Sequence, residues 1–318
     1  MRFLIVAVFF MASVANAQTY PSKPIHVLVP FAPGGAVDTT ARVLAQAMQQ
    51  RVNWNFVIEN RPGGNGFIAT TAVQKATPDG YTLLMAHTGE FAVNPALFDN
   101  VPYELERDFL PITMVSDSPM LYLATASAPF NNFRELVAQA KAKPGAISFG
   151  SAGNGSINHL AGEWLAQAAG IQLLHVPYKG GAPAAAAVAA GDVHFGVMAV
   201  PGAAPHIKSG RGKVIGITTA KKSPLDPSWA TPRDAGIPDL DASIWVGLFA
   251  PKGTPQAIVE LINKEVRATL ALPEVQRSFI EKAGGEAIGM TPAEFLVRIK
   301  ADAERYKRVV QKAGVKPG

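Results

Sequence analysis

Two glycine-rich loops contain the residues whose types and spacing indicate binding chemistry. The first, PFAPGGAVD at residues 30–38, follows the apolar run IHVLV at 25–29. The second, FGSAGNGSINH at 149–159, begins at the end of a short predicted strand, AISF at 146–149, and also opens a helical pattern. A loop of this kind presents main-chain N–H groups and the partial positive charge of a helix N-terminus. Such a combination binds anions, and a carboxylate is the simplest candidate.

The first loop has two interpretations. Adjacent Gly34 and Gly35 let the backbone turn sharply and let a ligand approach the main-chain N–H groups closely, beside Phe31 and Pro33. A strand-to-helix turn also needs glycine for its own geometry, and Asp38 would then only offset the helix dipole. The bare pattern leaves both interpretations open.

The second loop favours binding more strongly. Gly153 and Gly155 leave room for a ligand, while Ser151 and Ser156 offer hydroxyl donors. The loop also lies at the carboxyl end of a predicted strand, where open α/β sheets bind ligands. His159 falls about one turn into the helix, where a structural hydrogen bond is the alternative to ligand contact.

Three further loops are candidates for the same cleft. NRPGGNG at 60–66 contains Arg61, which would meet either an anion or a neighbouring carboxylate. HTGE at 87–90 follows the third predicted strand and places Thr88 near a crevice by the same topological rule. YKGGAP at 178–183 opens another helical pattern and is a candidate lining of the cleft.

Motifs of catalysis, metal binding and nucleic-acid binding are missing from the sequence. It contains no GxxxxGK[ST], HExxH or GxSxG motif, and GNGSIN at 153–158 is only a partial GxGxxG. The six histidines are dispersed and cysteine is absent, which excludes disulfides and thiolate metal sites. The net charge of +5 is scattered rather than clustered with aromatic residues. We therefore predict no catalytic residues, no metal, no cofactor and no nucleic-acid partner.

The N-terminus predicts export. Arg2 precedes an apolar run at 3–14, and Ala15-Asn16-Ala17 matches a signal-peptidase site, so residues 1–17 are expected to be removed after Ala17. That run is shorter than the roughly 20 residues needed to span a bilayer. No cysteine follows the cleavage site to carry a lipid anchor. We expect a mature protein that is free in the periplasm and not inserted in the membrane.

The rest of the chain predicts two α/β lobes. About 300 mature residues exceed the usual size of one hydrophobic core. Apolar runs and helical patterns alternate as βαβαβ, which indicates parallel sheets covered by helices. The predicted strands are 25–29, 56–58, 81–86, 146–149, 173–176, 193–200, 213–218 and 244–250, and the predicted helices include 36–50, 67–75, 157–169 and 182–190. Capping residues predict two C-terminal helices, one starting at Thr254-Pro255 and one at Thr291-Pro292.

Taken together, these segments resemble the substrate-binding receptors of tripartite tricarboxylate transporters, also called the Bug family. The resemblance rests on short segments that follow one another in family order along nearly all of the mature chain: YPSKPI (20–25), residues 29–38, ENRPGGNG (59–66), PDGYTLL (78–84), residues 149–160, VPYKG (176–180), PHIKSG (205–210) and WVGLFAP (245–251).

The resemblance implies a type II periplasmic-binding-protein fold, with two Rossmann-like lobes joined by a hinge that the chain crosses twice. Lobe 1 would comprise residues 18–118 and 219–318, and lobe 2 residues 119–218. It also implies a monomer that captures a small carboxylate between the lobes and delivers it to the membrane subunits of a transporter. The ligand-binding residues that it implies are Phe31, Pro33, Gly34, Gly35, Asp38, Thr88, Ser151, Gly153, Gly155, Ser156 and His159.

The identity of the ligand stays open at this stage. Candidates are di- and tricarboxylates, aromatic carboxylates such as terephthalate or nicotinate, and carboxylate-bearing amino acids. Many relatives carry a polar residue, often Asp, where this chain has Met198-Ala199-Val200. That departure and Phe31 favour a less polar or aromatic acid over an amino acid. Alternatives to transport are a sensory receptor that feeds a signalling protein and an exported enzyme acting on carboxylates.

Overall fold

The computed structural model of the protein describes residues 20–237 and 240–315. The predicted signal peptide, residues 1–17, lies outside the described residues. The strands are β1 (Ile25–Val29), β2 (Phe56–Asn60), β3 (Thr82–His87), β4 (Phe109–Thr125), β5 (Ser148–Ser151), β6 (Leu174–Pro177), β7 (Phe195–Ala199), β8 (Gly212–Ile217), β9 (Ser243–Pro251) and β10 (Glu286–Ala287).

Helices cover the sheet and alternate with its parallel strands. They are α1 (Ala36–Val52), α2 (Phe67–Gln74), α3 (Asn94–Leu97), α4 (Leu105–Asp108), α5 (Phe133–Ala142), α6 (Ile157–Ala169), α7 (Gly181–Ala190), α8 (Val200–Lys208), α9 (Gln256–Leu270), α10 (Pro273–Ser278) and α11 (Pro292–Ala313). Short 3-10 turns at Gly64–Gly66 and Arg233–Ala235 and π-helical turns at Gly89–Val93 and Phe279–Ala283 complete the described elements. The α/β class that the sequence predicts is confirmed.

The sheet repeats one parallel arrangement in each of its two halves. In the first half, β1 lies between β2 and β3 and pairs with both in parallel. In the second half, β5 lies between β6 and β7, again in parallel. The apolar run of β1 fits this position, because a central parallel strand is covered on both faces. In each half, the loop after the central strand leads into a helix at the same edge of the sheet.

One long strand belongs to both halves. The first part of β4, Phe109–Pro119, pairs antiparallel with β9, whereas Met120–Thr125 pairs with β7 and β8. The chain returns between β8 and β9, where Thr218 contacts β4 and the segment before β9. Its main-chain N–H donates to the Met120 carbonyl oxygen, and its carbonyl oxygen accepts from the Ala242 N–H. The two connecting segments are therefore hydrogen-bonded to each other.

The C-terminal helices complete the first half of the sheet. Thr291 and Glu294 form the predicted capping box at the start of α11. The predicted cap at Thr254 is wrong by one residue, because Pro255 is the N-cap and the Thr254 hydroxyl donates to the Pro251 carbonyl oxygen instead. Among the described residues, no helix has both the length and the apolarity needed to cross a membrane.

Candidate ligand-binding site

A cavity of about 90 Å³ lies between the two halves of the sheet. This volume is several times what one buried water molecule needs. The walls come from both halves of the molecule and consist of Phe31, Ala32, Pro33, Gly35, Ala36, Val37, Asn65, His87, Gly89, Asn94, Ala152, Gly155, Ser156, Ile157, Asn158, Gly180, Gly181, Ala182, Pro183, Ala199, Gly202 and Ile244.

The N-termini of four helices converge on this cavity. α1 contributes Ala36 and Val37, α6 contributes Ile157 and Asn158, α7 contributes 181–183, and α8 contributes Gly202 together with its N-cap. Each of these helices has at least nine residues. Their dipoles therefore add up to a positive potential at the cavity, although no Lys or Arg among the described residues lines it.

Most of these N-termini have no side-chain cap. Gly35, Gly180 and Ala199 are the N-caps of α1, α7 and α8, and none of them has a side chain that accepts a hydrogen bond from its helix. Only Ser156 does so, because its Oγ accepts from the His159 N–H at 3.2 Å. The N–H groups of a first helical turn have no partner within the helix. Because no side-chain cap supplies one in α1 and α7, their first-turn N–H groups remain available to a ligand oxygen.

The walls themselves are apolar or uncharged. The aliphatic and aromatic part includes Phe31, Val37, Ile157 and Ile244, and the polar part consists of asparagine, serine and one imidazole. No lining residue in the described part of the chain carries a carboxylate. A ligand ammonium group would therefore find no countercharge here.

The structure places Phe31, Pro33 and Gly35 of the first predicted loop on the cavity wall, but not Gly34 or Asp38. Asp38 lies behind the loop and is only 3% exposed. Its carboxylate accepts hydrogen bonds from the Gly34 N–H at 2.9 Å, from Arg42 and from Asn60. Asn60 in turn donates to the Phe31 carbonyl oxygen at 2.9 Å. Asp38 therefore holds the shape of the loop from behind.

The pKa of Asp38 reflects this environment. Burial favours its neutral form, but the hydrogen bonds from Arg42, the Gly34 N–H and Asn60 outweigh burial and hold the pKa of this carboxyl below its usual value. Asp38 is accordingly ionised, and its charge is used by these three donors rather than by the cavity.

Gly155 and Ser156 of the second loop line the cavity, while Ser151, Gly153 and His159 lie beneath it. His159 Nδ1 accepts from the Gly155 N–H at 3.1 Å, so this N–H is used internally. Ser151 Oγ donates to the Gly153 carbonyl oxygen at 3.1 Å and lies 2.7 Å from His175 Nε2. These three residues support the loop in the structure.

The two imidazoles beneath the loop form a stack. The rings of His159 and His175 lie 3.7 Å apart and are nearly parallel. Burial, and secondarily the neighbouring His159, lowers the pKa of His175 to about 4. His175 is therefore neutral near pH 7, so it serves as a hydrogen-bonding support rather than as a cationic ligand contact.

Thr88 lies outside the cavity wall. Its Oγ1 accepts from the Trp245 N–H at 3.0 Å and lies 3.3 Å from the Ser243 carbonyl oxygen. It therefore connects the end of β3 to the start of β9. The neighbouring residue His87 lines the cavity instead.

Sequence reasoning did not name several lining residues individually. Asn65, His87 and Ala182 lie in loops that the sequence marks as candidates, so a local signal existed for them. Asn65 Nδ2 donates across the cavity mouth to the Asn154 carbonyl oxygen at 3.2 Å. Ile244 gives no local signal, because its place depends on the pairing of β9 with β3 and β4. Arg61 is directed to Glu59, at 2.8 Å, and not to the cavity.

The described residues include no group of three or more His, Cys, Asp or Glu side chains placed to hold a metal ion. The groups that this site offers to a ligand are main-chain N–H groups, side-chain amides, one hydroxyl, one imidazole and apolar side chains.

Comparisons with known proteins support a receptor. The family described as "Tripartite tricarboxylate transporter family receptor" matches residues 40–315. The periplasmic binding protein BugD is 35% identical, with a TM-score of 0.85 over 93% of this chain and 99% of its own. An R. palustris protein solved with adipate is 31% identical, with a TM-score of 0.90 over 94% of this chain and 100% of its own. MatC from Rhodopseudomonas palustris, solved with bound malate, is 30% identical, with a TM-score of 0.83 over 92% of this chain and 100% of its own.

These similarities extend over almost the whole described chain. The chain belongs to the tripartite tricarboxylate transporter family receptors, and it is a solute-binding protein of the Bug type rather than an enzyme.

Proposed function

We propose that this protein captures a small carboxylate in the cavity between the two halves of the sheet and delivers it to the membrane subunits of a tripartite tricarboxylate-type transporter. The observation that carries this proposal is the convergence of four helix N-termini on one cavity that no described Lys or Arg lines. A carboxylate fits such a site, because its two oxygens can accept several main-chain N–H groups at once.

The walls favour acids with an apolar body. Phe31, Val37, Ile157 and Ile244 offer contact area. Because none of the described lining residues carries a carboxylate, an amino acid is disfavoured as the ligand. The similar proteins solved with adipate and with malate support an acid as the ligand class. Within that class, we propose a less polar or aromatic acid.

Binding would be coupled to closure. We propose that residues 18–118 with 219–318 and residues 119–218 move as two lobes about the two connecting segments, β4 and the chain before β9. α1 belongs to one lobe and α6, α7 and α8 to the other. A ligand therefore gains its full set of N–H donors only when the lobes approach, and it stabilises the closed form by that difference. A membrane partner that recognises the closed form would distinguish loaded from empty receptor.

The proposal places a monomeric mature protein in the periplasm after cleavage at Ala17. BugD, which is similar along most of the chain, is a periplasmic binding protein. A sensory role would use the same cleft, and deletion of the receptor itself separates the two roles. Loss of acid uptake supports transport, whereas unchanged uptake with a lost transcriptional response supports sensing.

Thermal-shift measurements on the mature protein test the ligand class. The panel contains adipate, malate, terephthalate, nicotinate and citrate, each paired with its neutral amide as a matched control. We expect at least one acid to raise the melting temperature while its amide does not. A ligand at a free concentration of 100 times its Kd adds about 2.7 kcal/mol to the free energy of unfolding. The proposal is wrong if no acid in the panel raises the melting temperature, or if each acid and its amide raise it equally. If only citrate stabilises, the preference for a less polar acid is wrong.

A further inference from the structure

The mouth of the cavity is crossed by a direct contact between the two halves of the molecule. Asn65 lies in the 3-10 turn after β2, whereas Asn154 and Gly155 lie in the loop between β5 and α6. Asn65 Nδ2 donates to the Asn154 carbonyl oxygen at 3.2 Å. A carbonyl oxygen only accepts hydrogen bonds, so this contact defines which way the Asn65 amide is turned. Asn65 and Gly155 both line the cavity, so the contact lies at its edge.

A second contact between the halves lies beside the first. Gly155 is buried, and a Cβ at this position would lie 2.1 Å from Cδ2 of Leu97, which belongs to α3 in the other half. The same Cβ would lie 3.7 Å from Asn65 Nδ2, so the two contacts adjoin each other. Leu97 is only 6% exposed. Glycine at 155 therefore leaves the space into which the Leu97 side chain fits.

Each side of this contact is held in place by its own half. Asn65 has a left-handed backbone, with φ 48° and ψ 38°, and its carbonyl oxygen accepts from Asn94 Nδ2 at 2.9 Å. On the other side, the Gly155 N–H donates to His159 Nδ1 at 3.1 Å. Because both loops are already ordered by these bonds, little conformational entropy is lost when they meet.

We propose that Asn65 and Leu97 form a latch with residues 154–155, and that this latch closes the mouth of the cavity over the bound acid. Asn65 is then a positioning residue, which acts by holding the two halves together rather than by touching the ligand. This inference rests on the proposed carboxylate function and on the closing motion proposed with it. The latch exists only while the halves are together, so it stabilises the closed form and not the open form.

The position of the latch predicts a specific kinetic effect. An acid enters the open form, in which the latch is not made, but it leaves only after the latch has broken. Loss of the latch should therefore raise koff and leave kon nearly unchanged. Because the latch joins two parts of the protein, koff should rise by the same factor for acids of different shape. A direct contact between Asn65 and the ligand would instead change the ratio between those acids.

Stopped-flow tryptophan fluorescence on the mature protein measures both rates. The probes are the two acids among adipate, malate, terephthalate and nicotinate that raise the melting temperature most. Asn65→Gly removes the donor and keeps the left-handed backbone, which glycine adopts without strain. We expect koff to rise roughly 2- to 10-fold for both acids, as for the loss of one neutral hydrogen bond, with kon unchanged.

Asn53→Gly is the matched control for this variant. Asn53 is the other non-glycine residue with a positive φ in the described part of the chain, at 57°, and it caps the end of α1 outside the cavity. Its replacement makes the same chemical change on the same kind of backbone. It should change neither kon nor koff.

A pair of substitutions tests the contact between Gly155 and Leu97. Gly155→Ala should weaken acid binding roughly 10- to 100-fold, because the new Cβ overlaps with Leu97 Cδ2 in the closed form. Leu97→Val removes Cδ2, and Cγ, the next atom, lies 3.4 Å from that Cβ. The double variant should therefore bind more tightly than Gly155→Ala alone.

Gly170→Ala separates this overlap from backbone strain. Gly170 ends α6 with φ 61°, close to the 71° of Gly155, and no atom of the described residues would lie within 4 Å of its Cβ. An alanine there carries similar left-handed strain without meeting a neighbour. Gly170→Ala should bind acids as tightly as the unmodified protein.

The outcomes distinguish two failures. If the unmodified protein binds no acid, the proposed function itself is wrong. If it binds acids but Asn65→Gly leaves koff unchanged, or changes it as Asn53→Gly does, only the latch is wrong. A rise in koff that differs between the two acids would also overturn the latch, since that result assigns Asn65 to ligand contact. So would a double variant that recovers none of the binding lost in Gly155→Ala.

Discussion

Replacing Ala182 by Asp would place a permanent carboxylate where the ligand carboxylate is proposed to bind. Ala182 lines the cavity and is the second residue of α7, whose N-cap Gly180 provides no side-chain cap. An acidic side chain in a first helical turn is stabilising by about 0.3–1 kcal/mol. The substitution should therefore keep or slightly raise the stability of the ligand-free protein.

The effect on binding should be opposite and much larger. A cavity of about 90 Å³ is roughly 6 Å across if it is taken as a sphere, so the new carboxylate would lie within about 4–6 Å of a bound one. At an effective dielectric constant of about 20, two like charges at that separation repel by about 3–4 kcal/mol. Binding of an acid should then weaken roughly 100- to 1000-fold.

Calorimetric titration with the best acid of the panel, together with thermal unfolding, measures both effects. Ala182→Asn is the matched control, because asparagine has nearly the same size without the charge. We expect the Asn variant to lose far less affinity than the Asp variant at equal or lower stability. Equal losses in both variants would mean that the site excludes them by size and does not recognise charge, and our reasoning about the helix N-termini would fail.

Three other substitutions test the supporting structure. Asp38→Ala should lower the free energy of unfolding by about 3–5 kcal/mol, since it removes a buried acceptor from three donors, and circular-dichroism melts should show a fall of roughly 5–8 °C. Unchanged melting would contradict the role given to this carboxylate. Burial and the adjacent His159 keep the pKa of His175 below the unfolded value, so stability should be full above about pH 6.5 and decline towards pH 4 as the unfolded chain takes up the proton. Urea unfolding measures the free energy of unfolding at pH 7 and at pH 4.5. Between these two pH values, His175→Gln should lose less of it than the unmodified protein, by on the order of 1–2 kcal/mol, and equal losses would refute this. Gly216→Ala would place a Cβ 2.0 Å from the Phe133 ring and should cost about 1–3 kcal/mol by overpacking, which a melt at neutral pH would detect.

Local patterns predicted most of the elements that form the site. The sequence predicts the helix at 157–169 with the same limits as α6, and the predicted β1 and α1 agree with the structure within two residues. These segments have clear apolar periodicity and glycine loops at their ends, so their form is decided by nearby residues. The parallel pairing within each half follows from the βαβ order.

Long-range pairing explains what the sequence did not show. β4 contains Pro111 and Pro119 and reads as broken, yet it is one strand of 17 residues because its two parts pair with different partners. The N-terminus of α8 was predicted as part of a strand up to Val200, whereas β7 ends at Ala199. Only the assembled sheet brings that helix to the cavity.

Side-chain direction was the other unpredictable quantity. His87 and Thr88 are neighbours in one loop, and the sequence favoured Thr88, but His87 lines the cavity while Thr88 bonds to the main chain of β9. Asp38 and His159 have the chemistry of ligand contacts and instead hydrogen-bond to the glycine loops from behind. Residue type pointed to loops that line the cavity, and the packing of each loop decides which of its atoms face that cavity.

A crystal structure of the mature protein with the tightest-binding acid of the panel tests the central claim most directly. The decisive quantities are the distances from the ligand carboxylate oxygens to the main-chain nitrogens of Val37 and Ala182. We expect hydrogen-bond distances of about 2.7–3.2 Å to N–H groups of helices from both halves of the sheet. A carboxylate held by a Lys or Arg side chain, or an acid bound outside this cavity, would contradict the claim that converging helix N-termini form the anion site.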